Sequence, residues 1–377
     1  MPVTPPRPSQ RVLPALAVLW SAVCAALGLR WLLDAGAYPL GPATADDPSS
    51  LIMAVPPGAV SVTFLALGVA GIPLALALGH TGAETPGRRQ LLLAGAGYAL
   101  VFGVLVPDVQ LLAFLGYLTA LASPLVVVVL LATGVRRHPR NVIPLLVIGG
   151  AVAIGVLTGH IGEPTLEMFR SMRDGFGRVG VRPLILVVAA AGGVLFTLLT
   201  VAAAGRVAHS TPESRARLQR WGRVATWVAA ACPLPYALIR MTWLTPWPLG
   251  VPGGPEAIGG GVRVFGILLG LAALGGAVLT VGLVSRWGEV FPRWLPHLRG
   301  RRVPVMAAVI PATLVAAALC ASSTSLVLMS RIDGAAWVIA AIPAPVWGPA
   351  LGLATYAYYR RRTDLPVRGT EPVIGRA

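Results

Sequence analysis

The sequence predicts an all-α polytopic integral membrane protein of about ten transmembrane helices with both termini in the cytoplasm. Three observations predict it. Apolar residues fill 56% of the 377 positions and charged residues 12%, with a mean hydropathy of +0.76, far from the balance of a water-soluble domain. Ten stretches approach the roughly 20 residues a helix needs to cross a hydrocarbon core. With the N-terminus inside, the inner connections hold 22 arginines and 5 acids and the outer ones 8 arginines and 9 acids. Translocation disfavours arginine in short loops, so the split predicts the orientation.

The ten segments are residues 12–33, 57–80, 90–107, 110–134, 142–160, 183–204, 223–244, 263–285, 304–330 and 335–359. Helices are expected because backbone groups in lipid must pair within the segment, and none of these runs alternates with the period of a barrel strand. The first segment follows Arg7 and Arg11 and reads as a retained helix rather than a cleaved leader. The second stops at Gly87-Arg88-Arg89. The third and fourth are joined by a turn at Asp108, and the fourth contains Ser123-Pro124 and ends before Arg136, Arg137 and Arg140. The fifth and sixth lead to an inner loop from Arg206 to Arg223. Pro233 and Pro235 interrupt the seventh beside Tyr236, and the eighth carries the close-packing pair Gly266/Gly270. Ser322-Ser323-Thr324-Ser325 lies in the ninth, where packing is the expected role. The tenth contains Ala344-Pro345 and closes on Arg360-Arg361-Arg362. Residues 1–11 and 360–377 are expected as cytoplasmic tails around one transmembrane domain, 12–359.

Segments one and seven share an order of residues. Trp20, Cys24, Arg30, Trp31 and Tyr38-Pro39-Leu40-Gly41 run parallel to Trp227, Cys232, Arg240, Trp243 and Trp247-Pro248-Leu249-Gly250. Gly-Arg-Arg recurs at 87–89 and 300–302. These matches predict a tandem four-helix repeat, residues 12–137 and 223–359, linked by residues 142–204, with a pseudo-two-fold axis along the membrane normal.

The net charge of +16 is mostly topological, since +17 falls inside and −1 outside, and no nucleic-acid partner is expected. Every basic residue is Arg and Asn141 is the single asparagine, which fits the codon bias of a GC-rich bacterial genome and hence a bacterial plasma membrane. Trp287, Phe291 and Trp294 alternate with Arg286, Arg293 and Arg299, a pattern suited to anionic lipids at the inner leaflet. Cys24, Cys232 and Cys320 read as small apolar side chains.

Ionisable groups inside a membrane are functional candidates by default. Arg30 and Arg240, with Tyr236, form one candidate: two guanidinium groups at an outer vestibule gripping an anionic substrate, against the plainer role of snorkelling to headgroups. His160, Glu163 and Glu167 form a second polar cluster, on one face if the helix continues through Pro164; the alternative is a short interfacial helix starting there. No enzyme signature of the GxSxG, HExxH, Walker A or CxxC type occurs, and neither cofactor nor metal is expected.

The string Arg286-Trp287-Gly288-Glu289-Val290-Phe291-Pro292-Arg293-Trp294, followed by Gly300-Arg301-Arg302-Val303-Pro304, resembles a stretch of uncharacterised multi-pass membrane proteins of high-GC Gram-positive bacteria, a resemblance that implies no activity. Residues 79–92 are similar to the loop between helices 2 and 3 of major facilitator transporters. The spacing is one residue longer, Glu84 stands where that motif has Asp, and the family has twelve helices. The expected function is a small-solute permease or exporter. A non-transporting scaffold, sensor or accessory subunit is the second class, and a membrane-embedded enzyme on a lipid-linked substrate the third. Permeation predicts a water-filled midplane cavity between the two halves, lined by Tyr236, Arg240 or their counterparts; a scaffold predicts tight packing with apolar surface left for a partner; an enzyme predicts that His160, Glu163 and Glu167 converge on an accessible pocket.

Overall fold

A computed structural model describes residues 8–40, 50–82, 84–134, 142–157, 162, 166, 170, 181–208, 211–251, 259–291, 300–331 and 336–363. These are helical with one isolated bridge, between Val290 and Arg302, and no strand among the described residues. The helices are α1 (Pro8–Leu33), α2 (Pro57–His80), α3 (Arg88–Leu100), α4 (Val109–Gly134), α5 (Val142–Leu157), α6 (Arg182–Ala208), α7 (Pro212–Ala231), α8 (Leu234–Met241), α9 (Gly260–Gly282), α10 (Val305–Met329), α11 (Trp337–Ala341) and α12 (Ala344–Thr363).

Local sequence sets many of the boundaries. Pro57 opens α2 where a missing N–H costs nothing. Gly87, at φ 68°, turns the chain into α3 through a left-handed conformation that disfavours a side chain. The Thr211 hydroxyl accepts from the Ser214 amide at 3.3 Å, capping α7 ahead of Pro212 and Glu213. Pro233 divides the seventh segment into α7 and α8 at Cys232–Pro233, and Pro343 divides the tenth into α11 and α12.

Among the described residues, seven spans are long and apolar enough to cross a membrane, and an eighth is reached if α3 and the start of α4 are one broken span. That pair differs from the expected hairpin. Between Arg88–Leu105 and Val109–Thr119 the axis bends by 69°, whereas two successive crossings need a near reversal. A π-helical turn at Val101–Leu105 precedes the bend, and Pro107 cannot continue the hydrogen-bond ladder. The described part of the fifth segment forms α5, of 16 residues.

Among the described residues, two apolar cores organise the helices. The first joins α1, α2, α3 and α6 around Trp20, whose ring meets Phe102 edge-on at 4.6 Å and Phe196 at 5.9 Å and whose Nε1 donates to the Val188 carbonyl at 2.6 Å. Gly192 leaves room for that indole. Gly28 and Gly68 bring the backbones of α1 and α2 together, and a Cβ on Gly68 would run into Ala25 at 2.7–2.8 Å. The second core joins α7, α10 and α12 with the first turn of α4; α9 packs along it. The boundary therefore does not follow the proposed repeat, because α6 completes the first core and α4 reaches the second. The residue correspondence is partial too. Cys24 and Cys232 are both buried, as are Trp31 and Trp243, but Trp20 is 7% exposed against 58% for Trp227, and α1 is continuous where α7 and α8 are broken.

Helices α3 and α6 are antiparallel and tied at both ends. Arg88 Nη2 donates to the Ala204 carbonyl at 3.3 Å, and Arg182 pairs with Asp108 at the other end. The bundle thus has an arginine-rich end, with Arg88 and Arg361, and an Asp108 end.

Candidate functional site

The Asp108 site begins with the failure of a helix. After the π turn and Pro107, Asp108 stands at the head of α4, where its Oδ1 accepts from the Gln110 amide at 2.9 Å. Its Oδ2 accepts from Arg182 Nη2 at 2.6 Å, and the two side chains are 0% and 10% exposed. Arg182 lies in the first turn of α6, held by the turn from Val181 to Leu184 and Ile185. Two charges withdrawn this far from water survive only when paired and hydrogen-bonded.

The pair sits where the two cores meet. Leu111 packs on the first core while Val109 and Leu112 pack on the second. From α10, the Ser325 hydroxyl accepts from the Val109 amide at 3.2 Å, and Thr324 donates to the Val104 carbonyl at 3.0 Å. Arg182 Nε and Gln110 Oε1 are buried without a hydrogen-bond partner. Tyr38, in the connection after α1, feels Arg182 electrostatically. Burial pushes its phenol up to about 12 from 10.0, and the Arg182 charge offsets part of that rise. The arrangement can lock two bodies together electrostatically. It offers neither a nucleophile with a base nor a metal cage: among the described residues no three His, Cys, Asp or Glu side chains converge.

The residues singled out in the sequence fall elsewhere. Arg30 is exposed on α1, which packs on α2 and α6 of the first core. Arg240 is half-buried on α8, its Cζ 4.1 Å from the Trp243 ring centroid and 5.0 Å from that of Tyr236, a cation–π stack that packs on Gly270 of α9. The structure therefore joins Tyr236 with Arg240 and places Arg30 on a different bundle. Arg240 Nε is buried without a hydrogen-bond partner. His160, Glu163 and Glu167 lie outside the described residues. In the hydroxyl run, Ser322 and Ser323 bond back to their own helix, while Thr324 and Ser325 reach across.

Asp108 and Arg182 escaped the sequence reading because each looks like a turn residue at a helix end. The available signal was the Pro107-Asp108 and Arg182-Pro183 steps at segment ends on the same predicted side. Their pairing spans 74 positions and has no periodicity.

A cavity of about 470 Å³ opens at the arginine-rich end, among α7, the end of α9 and α12. Neither Tyr236 nor Arg240 lines it. Comparison of the chain with family models, with curated proteins and with solved structures gives no match.

Proposed function

We propose that this protein is a small-solute permease or exporter of the bacterial plasma membrane, with its arginine-rich end and both termini in the cytoplasm and its Asp108 end outside. The observation that carries this reading is the Asp108–Arg182 pair, a buried charge pair at the seam of two helical cores. Ionisable groups kept inside a membrane protein are costly, and a seam that carries a buried ion pair beside two neutral hydrogen bonds supports two arrangements, tied and released. The broken helices α3/α4 and α7/α8 supply the irregular backbone that transporters place beside their pathways. Aromatic Tyr236 and cationic Arg240 on α8 remain the candidate solute contacts in the second bundle.

The test is accessibility. In protein keeping Cys24 but with Cys232 and Cys320 replaced, Ser325→Cys places a thiol on the buried seam. A membrane-impermeant maleimide added from outside should label it slowly, and about tenfold faster with Asp108→Asn, if release costs about 1.4 kcal/mol less. The charge-exchanged Asp108→Arg/Arg182→Asp protein should label slowly again. Buried Cys24 should stay unlabelled throughout, which separates opening from unfolding. Equal labelling of Ser325→Cys in the parent and Asp108→Asn proteins would sink the permease reading.

One observation favours the second class, a static scaffold. The first bundle is packed without slack, with Trp20 seated on Gly192 and the backbones of Gly103 and Gly193 touching. Both readings agree that this bundle is the rigid part; they differ on whether the seam opens.

A further inference from the structure

The cavity at the arginine-rich end has had most of its polar groups satisfied internally. Gln219 Nε2 donates to the Ala357 carbonyl at 3.0 Å, and the Tyr358 hydroxyl donates to the Gly288 carbonyl at 2.9 Å. The hydroxyls of Thr226 and Ser285 return to their own helix. What is left over is cationic. Arg361, which lines the cavity, spends Nη2 on the Leu283 carbonyl at 2.7 Å and on Glu289 at 3.2 Å, and its other guanidinium nitrogens have no hydrogen-bond partner among the described residues. Arg223, on α7 where α12 packs against it, also lines the cavity and has no side-chain partner among the described residues. Two guanidinium groups against one carboxylate leave the site with an excess positive charge.

The rim has a different character. Trp227 lines the cavity and is 58% exposed, and Trp221 and Val224 of the same helix are exposed as well. Tryptophan beside arginines at the end of an apolar helix belongs at headgroup depth, where one side of the ring meets water and the other acyl chain. The volume exceeds what an inorganic anion fills and falls in the range of sites for small organic ligands.

We propose that this cavity binds an organic phosphate carried on an amphiphile, the headgroup of an anionic phospholipid, with Arg223 and Arg361 gripping the phosphate and Trp227 lying along the glycerol and upper acyl chain. Bidentate guanidinium–phosphate contacts give such a site its strength. The site lies away from the Asp108 seam, and its occupancy does not depend on transport.

Native mass spectrometry of the full chain, offered equal phosphatidylglycerol and phosphatidylcholine in detergent, tests it. Phosphatidylglycerol should be retained about tenfold over phosphatidylcholine, because both headgroups offer the phosphate but the choline ammonium adds a cation beside the two arginines, a difference of about 1.4 kcal/mol. Arg223→Gln should bring the ratio near one with an unchanged thermal midpoint, because Arg223 is exposed and supports no other group. Arg215→Gln, on α7 outside the cavity, should leave the preference intact. Added glycerol 3-phosphate distinguishes the sources: no displacement assigns the site to a lipid, whereas displacement assigns it to a soluble organic phosphate recognised by the same arginines. Equal retention of both lipids, or a preference that survives both Arg223→Gln and Arg361→Gln, overturns the proposal.

Discussion

Asp108 holds its place through bonds that its sequence neighbours do not foretell. Removing its charge strands Arg182 in a site already short of one partner, so Asp108→Asn should lower stability by about 3 kcal/mol. The double substitution Asp108→Leu/Arg182→Met should cost less than either single change, because both charges leave together. Thermal unfolding in one detergent checks the order. Tyr38 gives a second expectation. Its phenol ionises at about 12 in the folded chain against 10.0 when free, so the fold favours the neutral form. That contribution is complete below pH 10 and is lost as pH rises from 10 towards 12. Melting curves across this window should fall more steeply for the parent than for Tyr38→Phe; equal slopes would refute the shift. At this scale the sequence was least legible. Arg240 was found because it stood alone in an apolar run, but its stacking on Trp243 and Tyr236 depends on the helical turn after Pro233. Asp108 reads in the sequence as the turn between the third and fourth segments, because an acid beside proline looks like any turn.

Elements were more legible than residues. Apolar length and arginine stops located the helices, and Pro233 announced the break between α7 and α8. What composition did not carry was direction: a Val-Pro-Asp step reads as a turn whether the next helix returns or bends away, and here the bend is 69°. Glycines were equally ambiguous in sequence, since a close approach and an open face look the same. The structure separates them. Gly68→Leu should cost about 2–3 kcal/mol by driving α2 off the α1 backbone, while Gly275→Leu, with nothing near its added Cβ, should shift stability by less than about 0.5 kcal/mol. Detergent-induced unfolding of the two variants side by side measures the contrast.

For the whole molecule, hydropathy and the positive-inside split gave the class, and the number of crossings turns on one loop. If α3 and α4 cross separately, a reporter fused after Arg140 is cytoplasmic; if they form one broken span, it is external and three arginines of 135–141 face outward. Fusions after Arg215 should report cytoplasmic and fusions at Asp47, Glu256 and Asp333 external under either count, so a reversal at any of these would remove both. A tandem repeat is hard to read in such a chain, because Ala, Gly and Leu match one another too readily to show which core a helix joins. The core around Trp20 carries a consequence for biosynthesis. Its hydrogen bond to Val188 spans 168 positions, and its glycine seat lies on α6, which is made after α4 and α5. While those helices emerge, the aromatic face of α1 to α3 has no lid and must be sheltered by lipid or by the insertion machinery. A chain ending at residue 181 should therefore be degraded quickly and one ending at 208 should persist, a difference that pulse-chase labelling would read as the moment the first bundle closes.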